Sequence, residues 1–183
     1  LLLNTNVSHN LSTGAYNVRR EQCKKGLDLL VNRFGIDASF RNVTFKMLDE
    51  TKNKLGVLLH KRCSYVVEEI VRVLEAVESL KNNNLKAMGK LMYQTHEGLS
   101  KKYEVSCPEL DFLVELTKNE PQILGARMMG GGFGGCTLNL IHKDAIEPFT
   151  QKASKAYKDK FSIELSHFQT VPSQGTALVK DAI

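Results

Sequence analysis

The sequence predicts an α+β fold of the ferredoxin-like, split βαβ type, with a multi-helix insertion. Three observations predict it. An apolar stretch at Leu1–Leu3 precedes any helix signal, helical periodicity dominates the middle of the chain, and a period-two segment follows a glycine cluster at 130–135. One more helix and a last extended stretch close the sequence. Collapsing the helical insert leaves the order β-α-β-β-α-β. A chain of 183 residues, 42% hydrophobic and 25% charged, is long enough for one domain with its own core and unlike a disordered chain.

Each element has its own warrant. Leu1 to Val7 reads as a short strand, apolar and then polar. Ser12 or Thr13 offers a cap oxygen to the helix that follows, in which Val18, Cys23, Leu27, Leu30 and Phe34 recur at near-helical spacing up to a C-cap at Gly35. Residues 36–56 show no clear period, and Lys52-Asn53-Lys54 with Gly56 reads as exposed loop. From Leu58 to Leu80 an apolar stripe (Leu59, Cys63, Val66, Val67, Ile70, Leu74, Val77, Leu80) lies opposite a charged face. Asn82-Asn83-Asn84 breaks it, and a second helix turns Leu85, Met88, Leu91, Met92 and Leu99 inward. Pro108 opens a third, at the position where its missing N–H costs nothing, and Asn119-Glu120-Pro121 stops it.

Gln122 to Met128 is short and apolar. After the glycines, Cys136, Leu138 and Leu140 alternate with Thr137 and Asn139. Asp144 is placed to cap a helix carried by Ile146, Phe149, Ala153, Ala156 and Phe161. Ile163 to Val171 reads as a closing strand, and Ala177 to Val179 as a further short one. No internal repeat and no low-complexity linker divides the chain, so residues 1–183 read as one domain.

Charge and cysteine usage narrow the function classes. Twenty-five Lys and Arg against 20 Asp and Glu give a net charge of +5, spread along the chain and mixed with acids. That is a solvated surface rather than a nucleic-acid stripe. No apolar run approaches the roughly 18 residues of a membrane span, and the start does not read as a signal peptide. Cys23, Cys63, Cys107 and Cys136 are far apart, with no C-x-x-C, and the five histidines are dispersed. They read as reduced, mostly buried thiols of a cytosolic protein, and the ligand clustering that zinc requires is missing.

Five glycines in six residues (Gly130, Gly131, Gly132, Gly134 and Gly135) demand a chemical reason. A hairpin turn needs only one or two. A cluster implies positive φ or close approach of the backbone to something, and successive exposed N–H groups make an anion-binding concavity. A Walker loop requires Lys after the last glycine, whereas Gly135 is followed by Cys136-Thr137. Gly130, Gly132 and Gly135 spell G-x-G-x-x-G, but a strand rather than the required helix comes next.

The segment Leu124-Gly125-Ala126-Arg127-Met128-Met129 followed by GGGFGGCT resembles the third conserved motif of the galactokinases, a family of the GHMP small-molecule kinases. A second resemblance lies near the start. Asn4-Thr5-Asn6-Val7 and then Tyr16-Asn17-Val18-Arg19-Arg20-Glu21-Gln22-Cys23 are similar to the galactokinase strand leading into a Y-N-x-R-R-x-x-C helix. The two motifs stand in family order, and the resemblance runs over essentially the whole chain.

The resemblance implies the fold of a GHMP kinase C-terminal domain. It also implies that Tyr16 contacts the sugar, and that the five glycines line the site near sugar and transferred phosphate. It makes Phe133 a packing anchor, and Arg19, Arg20 and Glu21 structural ion-pair partners. Two departures stand out: Met129 where the family usually has Thr, and Ser8 where it commonly has Lys or Arg near the catalytic carboxylate. The GRxNLIGEHxDY-type sugar motif, the GxxSSSA-type phosphate loop and a matching catalytic Asp have no counterpart here. The chain is therefore expected to be a C-terminal half, inactive alone. Its cytoplasmic parent is expected to bind galactose, ATP and Mg2+, with nucleotide and metal held mainly by the N-terminal domain that completes it. Two alternatives share the motifs: a sugar- and ATP-sensing transcriptional regulator, and a kinase of N-acetylgalactosamine. A freestanding RNA-binding module lacks the aromatic strand that base stacking would use.

Overall fold

The computed structural model describes residues 1–8 and 12–173. The chain runs β1 (Leu2–Ser8), α1 (Ser12–Phe34), α2 (Phe45–Lys81), α3 (Leu85–Glu97), a π-helical turn (Gly98–Tyr103), α4 (Pro108–Thr117), β2 (Ile123–Met128), β3 (Gly134–Ile141), α5 (Ile146–Phe161) and β4 (Ser166–Phe168). The four strands form one antiparallel sheet in the order β2-β3-β1-β4. That is the split βαβ arrangement, with α1 to α4 as the enlarged first crossover. The strand expected at Ala177–Val179 lies outside the described residues.

One sheet face carries the core. Leu1, Leu3, Ala126 and Met128 are buried, and Leu113 of α4 with Phe149, Ala153 and Tyr157 of α5 packs over that face. The period-two reading of β3 holds, but its polar side is the one turned inward. Thr137 and Asn139 are buried while Cys136, Leu138 and Leu140 stay partly exposed. The Asn139 side-chain donor is bonded there: Nδ2 donates to the Leu1 carbonyl and to Thr137 Oγ1, each at 3.1 Å. Tyr157 caps the same layer by donating its hydroxyl to the Thr5 carbonyl at 2.8 Å.

Two expectations for the helices are corrected. Residues 45–55 are helical, not loop: Thr44 Oγ1 accepts the Met47 amide, and Leu48, Thr51 and Leu55 form a buried stripe. Its middle member is a polar residue whose hydroxyl turns back to the Met47 carbonyl at 2.5 Å, so an apolar count misses the period. Gly56, at φ 67° and ψ 171°, then kinks α2. The expected inward stripe of α2 ends early: Leu74 is 64% exposed, and Val77 and Leu80 are exposed too.

Smaller corrections concern α1, α3, α5 and the last strand. Val18 of α1 is exposed. In α3 the buried residues are Gly89, Met92, Thr95 and His96, and Leu85 is exposed. The helix runs along β2 so closely that a β-carbon on Gly89 would stand 1.9 Å from the Leu124 carbonyl oxygen. Asp144 sits inside a 3-10 turn before α5, and the N-cap residue Ala145 offers no side-chain bond. The closing strand covers only Ser166–Phe168.

Candidate functional site

The two sequence motifs meet at one cleft. It has a volume of about 820 Å3 and is lined by Tyr16, Arg41, Tyr65, Glu69, Ile70, Val73, Tyr103, Val105 and Gly130, among others. Tyr16 comes from the first turns of α1, Gly130 from the loop between β2 and β3. The wall between them belongs to α2 and the π-helical turn.

Tyr16 is half-buried to exposed at 38%, and its ring meets Tyr103 edge to face with centroids 6.5 Å apart. Tyr103 packs in turn on Tyr65 at 5.1 Å. Burial raises the pKa of both Tyr65 and Tyr103, so these two hydroxyls stay protonated through the physiological range. The three tyrosines thus form a neutral aromatic stretch of the wall, with Tyr16 the exposed member, beside the charged Arg41 and Glu69.

The glycine loop is held in one shape from two sides. Gly130, Gly132, Gly134 and Gly135 all have positive φ, as does Phe133 at 59°, a region in which glycine costs least. The Phe133 amide donates to the Val105 carbonyl at 2.8 Å, the Met129 amide to the Cys136 carbonyl at 3.0 Å, and Thr5 Oγ1 to the Gly135 carbonyl at 2.9 Å. Phe133 packs against the cluster of Tyr65, Tyr103, Val105 and Met128, which makes it the anchor of the loop. Gly130 and Gly131 are exposed, and no described residue accepts from their amides. Those N–H groups can serve an anion at the cleft.

The departures also find places. Met129 is exposed at the start of the loop. The Ser8 backbone stands opposite Gly134 in the β1–β3 register, after an irregularity between Asn4 and Ser8. Arg19 donates from Nε to the Tyr103 carbonyl at 2.9 Å and from Nη2 to the Glu104 carbonyl at 3.2 Å. Arg20 and Glu21 are exposed. Arg127, next to the loop in sequence, lies instead in a small cavity with Glu69, Met88 and Thr95.

Several organising residues were not singled out from the sequence. Arg62 is 1% exposed and binds Gln22, Lys102 and Glu104. His96 accepts the Met128 amide at Nδ1, 3.1 Å, so its proton is on Nε2, which faces Asp111 Oδ1 at 3.1 Å. Ser100 and Ser106 donate to the same carboxylate at 2.9 and 2.6 Å. No local spacing betrays these contacts, because their partners are brought together from six different elements. All four cysteines are free, three of them buried, and burial pushes the Cys63 thiol up to about 12. Among the described residues no three His, Cys, Asp or Glu side chains are grouped to hold a metal ion.

Residues 76–159, which include the glycine loop, match the family described as GHMP kinases C terminal. The chain is similar to galactokinases along almost its whole length. The galactokinase of Thermotoga neapolitana is 42% identical over 174 residues, 95% of this chain and 47% of the relative. That of Thermosipho africanus is 37% identical over 179 residues, 98% of this chain and 49% of the relative. The chain thus spans about half the length of the curated relatives it matches. Among solved structures, Lactococcus lactis galactokinase complexed with galactose superposes with a TM-score of 0.84 at 30% identity, over 90% of this chain and 42% of that one. The L. major mevalonate kinase in complex with R-mevalonate, at 21% identity and a TM-score of 0.50, shares the fold over 85% of this chain and 37% of that one.

Proposed function

We propose that the chain is the C-terminal part of a galactokinase whose full-length form transfers the γ-phosphate of ATP to the C1 hydroxyl of galactose in the cytoplasm. The observation that carries this reading is the meeting of Tyr16 and Gly130 at one cleft, from motifs far apart in sequence. Likeness to galactokinases over both motifs supports it.

In this reading Tyr16 presents its hydroxyl to a sugar hydroxyl at the edge of an aromatic wall. Gly130, Gly131, Gly132, Gly134 and Gly135 hold a rigid backbone against sugar and phosphate. Phosphoryl transfer needs positioning and stabilisation of charge on the transferred group, and preorganised amides suit both. The base that takes the C1 proton and most nucleotide contacts belong to an N-terminal domain. Magnesium accompanies the nucleotide, and the described residues offer no cluster of ligands for it. Exposed Val73, Leu74, Val77, Leu80 and Leu85 on α2 and α3 provide apolar surface for that domain to cover.

The test is ADP release by the full-length protein with galactose and, separately, with N-acetylgalactosamine. Galactose-dependent release that falls at least about tenfold in kcat/KM on Tyr16→Ala supports the reading. No release with either sugar, in a folded full-length protein, overturns it. Residues 1–183 alone are expected to release none, and turnover by that fragment would overturn the assignment of the chemistry to the other half.

A further inference from the structure

We propose that Arg19, Arg62 and Glu104 are positioning residues that set the glycine loop and Tyr16 in one geometry by clamping the segment 102–105. The inference rests on the proposed function for its catalytic meaning, but the clamp itself stands on the contacts.

The segment follows the π-helical turn, whose end leaves carbonyls without helical partners. Two guanidinium groups take three of them in succession. Arg62 Nη1 donates to the Lys102 carbonyl, Arg19 Nε to that of Tyr103, and Arg19 Nη2 to that of Glu104. The side chain of Glu104 closes the arrangement, accepting from Arg62 Nη2 at 2.6 Å and from Lys61. Glu104 itself has φ 57° and ψ 53°, a left-handed conformation that a residue with a β-carbon adopts only when its surroundings hold it there. A charge as deeply buried as Arg62 must be bonded. Its donors go to Gln22 of α1 and to the 102–104 segment.

The clamped segment carries both halves of the candidate site. Its last residue, Val105, presents the carbonyl that receives the Phe133 amide at 2.8 Å. The same oxygen would stand 2.0 Å from any β-carbon on Gly132. Tyr103, one residue before Glu104, presents the ring against which Tyr16 rests. Arg19 belongs to the helix that bears Tyr16. The first motif therefore holds the seat of the second, and Arg19, expected as an ion-pair partner, also binds two backbone carbonyls.

The experiment uses Glu104→Gln and Arg19→Lys in the full-length protein, with amide exchange read by mass spectrometry without substrate. Both variants keep a polar, similarly sized side chain at partly exposed sites, so the fold survives. The expected result is roughly tenfold faster exchange in the peptide spanning 129–135, the scale of one charge-assisted hydrogen bond, with α5 and the β1–β3 pairing unchanged. In the same variants kcat for galactose phosphorylation falls while galactose KM moves less. Loop exchange equal to wild type, or a rise shared by every peptide, would overturn the clamp. A full-length protein without kinase activity would sink the proposed function and leave the exchange result to decide the clamp by itself.

Discussion

The Val105 carbonyl oxygen accepts the Phe133 amide at 2.8 Å and fills the space that a side chain on Gly132 would need. This contact joins the segment after the π-helical turn to the glycine loop, and it makes the glycines unequal. Gly132 combines φ 85° with a backbone oxygen at 2.0 Å from a β-carbon. Gly132→Ala should therefore cost about 2–4 kcal/mol from strain and overpacking together. The measurement is the urea midpoint, and a variant as stable as wild type would show that the loop moves away freely.

Gly131 is the contrasting position. It has no positive φ, and nothing lies within 4 Å of an added β-carbon. Gly131→Ala should fold with wild-type stability to within about 0.5 kcal/mol. Any loss of sugar phosphorylation it causes in the full-length protein then reports on the cleft rather than on folding.

Gly89→Ala tests the packing of α3 on the sheet. Its β-carbon would meet the Leu124 carbonyl oxygen at 1.9 Å, backbone against backbone, and no side chain is there to give way. We expect destabilisation of at least about 3 kcal/mol, seen as loss of soluble protein or of the cooperative thermal transition. Wild-type melting would mean that α3 shifts along β2.

Acid should weaken the domain through two carboxylates. Hydrogen bonds from Arg62 and then Lys61 hold Glu104 at about 2, below its ordinary 4.5. For Asp111 burial works upward, but hydrogen bonds from His96, Ser106 and Ser100 outweigh it and hold the group at about 2, below 3.8. A depressed folded-state pKa means stability that is present above the unfolded value and lost as pH falls toward the folded one. The window is therefore about pH 4.5 down to about pH 2. Glu104 is 41% exposed and screened by solvent, so its share is small. Urea midpoints at about pH 5.5 and about pH 3 should differ less for Asp111→Asn than for wild type, and an unchanged difference would remove Asp111 from the account.

Asp111→Ala reads the same network at neutral pH. It removes the acceptor of His96 Nε2, Ser100 and Ser106 at once. A loss of about 1–3 kcal/mol follows from leaving a buried imidazole donor unpaired. Because His96 Nδ1 holds the Met128 amide, exchange at the end of β2 should rise beyond the rise elsewhere.

Local chemistry made most of the elements legible. Pro108 starts α4, Gly35 ends α1 with its amide on the Val31 carbonyl, and the alternation after the glycines is β3. Where the reading failed, a long-range partner had overruled a local preference. Thr51 keeps a helical stripe alive by bonding its hydroxyl to the backbone. The lower half of the α2 stripe lies open because, among the described residues, little packs against Leu74, Val77 and Leu80.

Propensity, periodicity and motif spacing act over a few residues, so most of the strand and helix order, the glycine loop and the two motifs were written locally in the chain. Only the tertiary structure decided which side of β3 faces inward, that Arg19 and Arg62 bind carbonyls, and that Tyr16 and Gly130 share a cleft. Those outcomes depend on hydrogen-bond acceptors supplied by distant segments. A buried polar group is stable only where such a partner arrives, and that is settled when the elements pack.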